Sequence, residues 1–326
     1  MKIPYPSIAV IGEGQLFPEI SLCLLKAGHH VLEYCPNGDE PTSATLAKLE
    51  NIHFYPNQLK TLRNLRELPD VDMVVLVSPE DGPVKRELLR EIVDIVSPKT
   101  VIAVNTESFS LDELRVGHSN PKRIIGLNWV QPAHITLFSE LIVMPDTPPF
   151  LVDDMVDLAT TYWGKDPYVV HHGNSIRSRL MAAMIREAFF LMENGYVTEE
   201  DIDRACRNDA GYYLPFAGNL RYMDLMGTYV YGVVMKDLNN ELATNQELPA
   251  FFQQLLAKHP KPGLATGEGF YRYTQEEKEK LKADCLAFGK KIRALMDKFP
   301  FPRDNPYQGP KPLKESMVFP DKNRSL

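Results

Sequence analysis

The stretch Ser7-Ile8-Ala9-Val10-Ile11-Gly12-Glu13-Gly14 decides how the first half of this 326-residue chain folds. Its apolar part, Ser7–Ile11, is a short β-branched run of the kind that forms a strand buried on both faces. The two glycines predict a tight turn after that strand. A helical pattern follows, and His30–Tyr34 is a second strand candidate. This order of strand, turn, helix and strand predicts a βαβ unit in a parallel sheet.

The glycine turn also matches part of the fingerprint of dinucleotide-binding folds. In that fingerprint three glycines allow a pyrophosphate to approach the start of the helix, and an acid at the end of the second strand binds the ribose. Gly12 and Gly14 occupy the first two glycine positions, whereas Phe17 occupies the third. Cys35 stands where the acid is expected, and Glu33 lies two residues earlier on the same face of the strand. The pattern predicts a Rossmann-type fold, and it leaves open whether the turn binds a dinucleotide or only connects strand and helix.

The first half of the chain continues to alternate strand and helix patterns. The predicted strands are Ser7–Ile11, His30–Tyr34, Ile52–Tyr55, Met73–Val77, Val101–Val104, Ile124–Leu127, Ser139–Met144 and Tyr168–His171. Helical patterns lie between them, among them Leu59–Leu68, Val84–Val96 and Pro149–Trp163. This alternation predicts a doubly wound, mostly parallel sheet with helices on both faces.

The pattern changes near residue 172, after which strand patterns nearly vanish. Ser175–Asn194 is one long helical pattern, and Gln275–Phe299 is a further amphipathic, charge-rich helix. An α/β fold with an all-α second domain is therefore expected. The expected division is a Rossmann-type domain at 1–172, a helical domain at 173–299 and a proline-rich tail at 300–326.

Composition limits the possible functions. Hydrophobic residues make up 44% of the chain and charged residues 24%, which is typical of a globular protein. A net charge of −7 disfavours nucleic-acid binding. No apolar run reaches the roughly 18–20 residues that cross a bilayer, and the N-terminus has no signal-peptide core, so we expect a cytoplasmic protein without a membrane partner. The cysteines form no CxxC pair, which predicts reduced thiols and no metal site; they are Cys23, Cys35, Cys206 and Cys285.

Several motifs, in the right order, resemble those of the 3-hydroxyacyl-CoA dehydrogenase family. Asp72–Thr106 is similar to the family's block of strand, "PE", helix, strand and "SNTSS". Arg123–Glu140 is similar to its "RFxGLHFFNP…E" block. Arg179–Asp203, Asp224–Gly227 and Thr266–Tyr273 match its C-terminal motifs. Within the family, the chain looks most similar to the branch that includes lambda-crystallin-like gulonate dehydrogenases.

The resemblance implies hydride transfer to NAD while a histidine, oriented by a glutamate, removes the substrate hydroxyl proton. At the matching positions this chain keeps the glutamate as Glu140 but has Asn128 in place of the histidine. Glu107 replaces a serine that contacts the substrate hydroxyl, and Ser178 replaces the asparagine of the "NR" motif. These four residues are the catalytic candidates. Because Asn128 cannot titrate, the proton acceptor stays open among Glu140, Glu107 and a displaced histidine such as His134, His171 or His172.

The cofactor implied by the resemblance is NAD. The cofactor-binding candidates are Gly12, Gly14, Glu80, Lys85 and Asn105, the last three matching the family's residues near the nicotinamide. An exposed capping carboxylate and a solvated lysine at a helix start are the alternative interpretation of Glu80 and Lys85. No arginine directly follows the second strand, which favours NAD over NADP.

The expected function is NAD-dependent oxidation of a 3-hydroxy acid or a short 3-hydroxyacyl-CoA. The short segment between the second strand and Met73–Val77 disfavours long acyl-CoA substrates. The resemblance also implies a homodimer formed through the helical domain. The alternative belongs to a different class: a family member that has lost catalysis and persists as a binding or structural protein, because the catalytic histidine position is Asn128.

Overall fold

The computed structural model describes residues 3–36, 47, 52–171, 173–258 and 263–300. Its strands are β1 Ser7–Gly12, β2 His30–Tyr34, β3 Leu59–Thr61, β4 Met73–Val77, β5 Val101–Val104, β6 Ile124–Asn128, β7 Glu140–Val143 and β8 Tyr168–His171. Within the described residues they form one sheet in the order β3-β2-β1-β4-β5-β6-β7-β8. Neighbouring strands are parallel except β6 and β7, which are antiparallel. The predicted doubly wound, mostly parallel sheet is confirmed.

The helices divide into four that accompany the sheet and six that follow it. The first group is α1 Leu16–Ala27, α2 Gly82–Ile95, α3 Leu111–Arg115 and α4 Pro149–Asp157. The second group is α5 Ile176–Glu193, α6 Glu199–Ala205, α7 Gly211–Met226, α8 Thr228–Leu238, α9 Ala250–Lys258 and α10 Gln275–Lys298. The counts refer to the described parts of the chain. An α/β domain followed by a helical one is therefore confirmed.

The apolar strands separate two cores because their side chains alternate between the two faces of the sheet. In β4, Met73, Val75 and Val77 pack into the core that α1 and α4 cover. Val74 and Leu76 pack into the core that α2 and α3 cover. Apolar side chains thus cover both faces of the central strands. The polar side chains that could take part in a reaction lie at the strand ends.

The turn after β1 depends on glycine at two positions. Gly12 has a φ of 146°, and a Cβ atom added there would lie 1.6 Å from the carbonyl oxygen of Val77. Gly14 has a φ of 84°, in the region that other residues rarely adopt. Phe17, at the third glycine position, is only 2% exposed and packs into the core beneath α1. Its side chain therefore does not fill the turn.

Two local predictions were wrong. Ile52–Tyr55 is not a strand, and Leu59–Leu68 is not a helix. Leu59–Thr61 is instead the edge strand β3, paired in parallel with β2, and a short 3₁₀ turn follows it. An edge strand tolerates polar side chains on its open side, so the charged character of this segment did not exclude a strand.

The second half of the described chain contains helices and two isolated β-bridges. The long helix predicted at Ser175–Asn194 is confirmed as α5, and Gln275–Phe299 as α10. Residue 172, at the expected domain boundary, and residues 301–326 of the expected tail lie outside the described residues. Among the described helices, none combines the length and the apolar character that crossing a membrane requires.

Candidate functional site

A cavity of about 940 Å³ opens at the carboxyl ends of β1, β4, β5 and β6. It lies where the strand order reverses between β1 and β4, the place where open α/β sheets bind ligands. Each strand end contributes residues to its wall. They are Gly14 and Gln15 after β1, Ser78 and Glu80 after β4, Asn105 and Glu107 after β5, Trp129 and Gln131 after β6, and Arg177 from α5.

Three of the cofactor candidates contact one another beside this cavity. The Lys85 ammonium donates hydrogen bonds to Glu80 Oε1 at 2.7 Å and to the backbone oxygen of Asn105 at 2.6 Å. Ser108 donates to the other carboxylate oxygen of Glu80. Lys85 is fully buried, and Asp81 rather than Glu80 caps α2. The interpretation of this pair as a solvated lysine and a capping carboxylate was therefore wrong.

Burial and pairing set the charges of this pair. Burial lowers the pKa of Lys85, and the hydrogen bond and charge of Glu80 oppose that effect. For Glu80, burial raises the pKa, but hydrogen bonds from Lys85 and Ser108 outweigh it, so its pKa lies below the ordinary value. The two side chains thus form an ion pair of nearly zero net charge between the ends of β4 and β5, and Glu80 is the partner that lines the cavity.

Asn128 is held in a closed hydrogen-bond network. Its side chain is 1% exposed, and its Oδ1 accepts a hydrogen bond from the backbone N–H of Thr106 at 2.7 Å. Its Nδ2 donates to the backbone oxygen of Thr106 at 2.7 Å and to Glu140 Oε2 at 2.8 Å. Both ends of the amide are thus engaged, and Asn128 ties the end of β5 to β7.

Glu140 completes the same network from β7. Its Oε1 accepts hydrogen bonds from the Tyr168 hydroxyl at 2.9 Å and from the backbone N–H groups of Ile176 at 2.8 Å and Arg177 at 3.3 Å. A carboxylate is favourable there because the first turn of a helix presents unpaired N–H groups and a positive dipole end. Burial and the neighbouring Glu140 raise the pKa of Tyr168. Glu140 is fully buried and does not line the cavity.

Glu107 lies on the open side of this network. Arg177 Nη1 donates a hydrogen bond to Glu107 Oε2 at 2.8 Å, and the Ser178 hydroxyl donates to the same oxygen at 3.3 Å. The side chains of Arg177 and Glu107 are 28% and 34% exposed, and both line the cavity. The ion pair is thus accessible to a ligand in the cavity, whereas the Asn128–Glu140 network is not.

All four catalytic candidates therefore lie together, in two groups of different character. Asn128 and Glu140 form the buried group, and Glu107 and Ser178 form the group at the cavity. The histidines lie elsewhere: His134 is nearly buried, His171 is exposed at the end of β8, and His172 is outside the described residues. In the described part of the chain no group of three metal-ligand side chains occurs.

Two residues of the candidate site were not identified from the sequence. Arg177 pairs with Glu107, and Tyr168 donates to Glu140. The only sequence signal for Arg177 was its position beside the altered "NR" motif. Tyr168 had no signal other than its place in a predicted strand.

The residues present fit a bound dinucleotide. The close approach of Gly12 to β4, the open Gly14 and the start of α1 leave space for a pyrophosphate, and the N-cap residue Gln15 makes no side-chain capping hydrogen bond. Phe17 is withdrawn into the core. Glu80, Lys85 and Asn105 lie at the neighbouring strand ends, where the rest of such a ligand would extend.

Comparisons with known proteins identify family models that match most of the chain. Residues 7–173 match the family model for the 3-hydroxyacyl-CoA dehydrogenase NAD binding domain, and residues 176–273 match that of the C-terminal domain. The 5-formyl-3-hydroxy-2-methylpyridine 4-carboxylate 5-dehydrogenase of Mesorhizobium japonicum is 28% identical over 293 residues, which cover 85% of this chain and 94% of the relative. Human mitochondrial hydroxyacyl-coenzyme A dehydrogenase is 28% identical over 293 residues, which cover 83% and 92%.

Solved structures show the same fold. A crystal structure of a 5-formyl-3-hydroxy-2-methylpyridine 4-carboxylic acid 5-dehydrogenase superimposes with a TM-score of 0.78 at 24% identity, covering 91% of this chain and 99% of that one. FadB2 of M. tuberculosis superimposes with a TM-score of 0.64 at 22% identity, covering 83% and 99%.

Proposed function

Because this chain belongs to the 3-hydroxyacyl-CoA dehydrogenase family and is an NAD-dependent oxidoreductase, we propose that it oxidises a 3-hydroxy acid or a short 3-hydroxyacyl-CoA, with Glu107 as the proton acceptor. The observation that carries the proposal is the position of Glu107. It is a carboxylate in the wall of the same cavity as the glycine turn, and the catalytic candidates Asn128 and Glu140 are not in that wall.

The strand ends support the proposed cofactor residues. Gly12 and Gly14 would hold the pyrophosphate at the start of α1, where backbone N–H groups favour an anion. Glu80 and Asn105, with Lys85 buried behind them, would form the wall toward the nicotinamide. A bound NAD would supply the acceptor for the hydride that leaves the substrate carbon carrying the hydroxyl group.

Two arguments support Glu107 as the proton acceptor. Asn128 and Glu140 are poor candidates, and Glu107 is accessible from the cavity. Asn128 has no titratable group, and both ends of its amide are engaged. The oxygens of Glu140 accept hydrogen bonds from the Asn128 amide, the Tyr168 hydroxyl and two N–H groups of α5. In the reaction the hydroxyl proton passes to Glu107 while the carbon loses a hydride, which leaves a ketone. Glu107 then releases the proton to solvent.

The variant Glu107→Gln tests this role because glutamine preserves the shape and the contact with Arg177 but cannot accept a proton. We expect kcat to fall by about 10²–10⁴-fold while the Kd for NADH, measured by calorimetry, is unchanged. Glu113→Gln, an exposed glutamate on α3, is the matched control. An unchanged kcat in Glu107→Gln would exclude Glu107 as the proton acceptor.

A binding or structural protein without turnover is the second candidate. The observation that favours it is the closed Asn128–Glu140 network, which stands where the resemblance implies a histidine–glutamate pair. Tight NADH binding without oxidation of any 3-hydroxy acid or thioester at any pH would support this candidate. Recovery of activity in Asn128→His would then locate the loss at that position.

The names of relatives include both a free carboxylate and CoA thioesters. One relative is named for a pyridine carboxylate, and others are named for hydroxyacyl-CoA compounds. We also propose a cytoplasmic location, because all four described cysteines are free thiols, as is usual in that reducing compartment.

A homodimer is the proposed assembly. The helical half exposes many large apolar side chains, more than the surfaces of monomeric proteins usually do. They include Leu180 (62%), Tyr212 (83%), Leu220 (77%), Leu225 (67%) and Tyr229 (83%). A second copy of the chain, docked through these helices, would bury them.

A further inference from the structure

We propose that Arg177 binds a free carboxylate of the substrate, so that the protein acts on unesterified 3-hydroxy acids in preference to CoA thioesters. The inference rests on the proposed function and narrows its substrate class. It concerns a residue that is not one of the four catalytic candidates.

Arg177 is a cation in the cavity wall with unused hydrogen-bond donors. Its Nη1 donates to Glu107, and its side chain is 28% exposed. Among the described residues, the guanidinium has Glu107 as its hydrogen-bond partner through Nη1, and none contacts Nε or Nη2 in this way. These two groups form the flat fork that matches a carboxylate in a bidentate pair. The guanidinium can therefore hold Glu107 with one nitrogen and a second carboxylate with the other two.

Other cationic groups near the cavity are already committed. Among its described lining residues, Arg177 is the sole cation. Lys85 is buried behind the wall and donates to Glu80 and Asn105. The N-terminus of α5, which would otherwise attract an anion, is occupied by the carboxylate of Glu140. Arg177 is therefore the cation of the described wall that can bind an anionic group of the substrate.

The charges around the cavity disfavour a substrate with several negative charges. Glu13, Glu80 and Glu107 line it, and ion pairs join Glu80 to Lys85 and Glu107 to Arg177. A single carboxylate fits one guanidinium. A thioester is uncharged at the corresponding position and would leave the donors of Arg177 unpaired, while its CoA phosphates would meet no further cation in the described wall. Charge-assisted hydrogen bonds of this kind change affinity by about ten- to a hundredfold.

The shared guanidinium also orients the substrate. In a 3-hydroxy acid the hydroxyl group is two carbons away from the carboxyl carbon. Binding the carboxylate to Arg177 brings that hydroxyl toward Glu107, which the same side chain holds at 2.8 Å. One residue thus couples substrate selection to the position of the proton acceptor.

The experiment measures binding to the NAD⁺-loaded protein by calorimetry with three probes of one carbon skeleton: 3-hydroxybutanoate, its methyl ester and 3-hydroxybutanoyl-CoA. We expect the acid to bind at least about tenfold more tightly than the ester or the thioester. Arg177→Gln should weaken acid binding by about ten- to a hundredfold and leave ester binding unchanged. Arg186→Gln, an exposed arginine on the same helix, is the matched control and should change neither.

The outcomes separate this inference from the proposed function. Equal binding of acid and ester, an unchanged acid Kd in Arg177→Gln, or binding of none of the probes would overturn the inference. A weaker NADH Kd in Arg177→Gln would assign the arginine to the pyrophosphate instead. Selective acid binding without hydride transfer would support the inference and contradict the proposed function. If Arg177→Gln does not fold, the comparison of acid and ester on the unaltered protein still decides, and Arg177→Lys should show an intermediate loss.

Discussion

The two halves of the molecule bury their apolar residues in opposite ways. In the sheet half, the central strands and α1 carry side chains that are almost completely buried, and helices cover both faces. In the helical half, α5, α6, α8, α9 and α10 bury no residue, and α7 buries only Ala217. The first half has a complete hydrophobic core within one chain. The second half leaves its apolar faces for another surface to cover.

We propose that the sheet half provides most of the stability of the single chain and that the helical half provides the surface for assembly. A core residue of the sheet contributes to stability through burial within its own chain. An exposed leucine on α5 or α7 contributes only when a partner covers it. Substitutions in the two halves should therefore affect different measurements.

The largest effect is expected from Leu76→Ala in β4. Leu76 is fully buried in the core under α2, so the substitution leaves a cavity and should lower the free energy of unfolding by about 2–5 kcal/mol. Both tryptophans, Trp129 and Trp163, lie in the sheet half, so urea unfolding followed by their fluorescence reports on this half. Leu220→Ala on α7, at 77% exposure, should change this transition by less than about 1 kcal/mol. Equal losses in the two variants would contradict the division.

The next effect concerns assembly. The double variant Leu180→Asp/Leu220→Asp places charges on the exposed faces of α5 and α7. It should raise the dimer Kd by roughly a hundredfold or more, because burying one leucine side chain against a partner contributes about 1.5–3 kcal/mol. Light scattering after size exclusion measures the dimer Kd. Val116→Asp, at 78% exposure in the sheet half, is the control and should leave the dimer intact. A protein that is already monomeric at micromolar concentration would disprove the proposed dimer.

The smallest effect is a pH dependence located in the sheet half. Trp163 Nε1–H donates to His29 Nε2 at 3.0 Å, and His29 Nδ1 lies 2.9 Å from the backbone oxygen of Tyr5. Burial lowers the pKa of His29. A histidine with a lowered pKa binds fewer protons in the folded protein than in the unfolded chain, so stability is retained above the ordinary pKa of about 6.5 and declines as the pH falls below it.

The expected slope from His29 is at most about 1.4 kcal/mol per pH unit. Urea unfolding between pH 7 and pH 5 measures it, and His29→Gln should reduce the slope. The slope should not vanish, because burial also lowers the pKa of His118. His53→Gln, at an exposed position, should leave it unchanged. A slope that is the same in His29→Gln would assign the acid sensitivity to other groups.

Short-range patterns in the chain were sufficient for the architecture. Strand β1, the turn at Gly12 and Gly14, and the long helix α5 each leave a pattern within a short stretch of sequence, so the β-branched run, the glycine placement and the helical spacing predicted them. The motif order likewise predicted the family and NAD. The edge strand β3 escaped this reasoning because pairing with β2, and not its own composition, made it a strand.

The chemistry of the site was settled by contacts between distant residues. Arg177 and Glu107 are 70 residues apart in the chain, and they meet because the start of α5 returns to the end of β5. Asn128 and Glu140 were both suspected from the sequence, but only the packing of β6, β7 and α5 closed their hydrogen bonds and withdrew them from the cavity. Local sequence carries the periodicity that forms strands and helices, whereas the partner of a charged side chain depends on which strand ends the fold brings together.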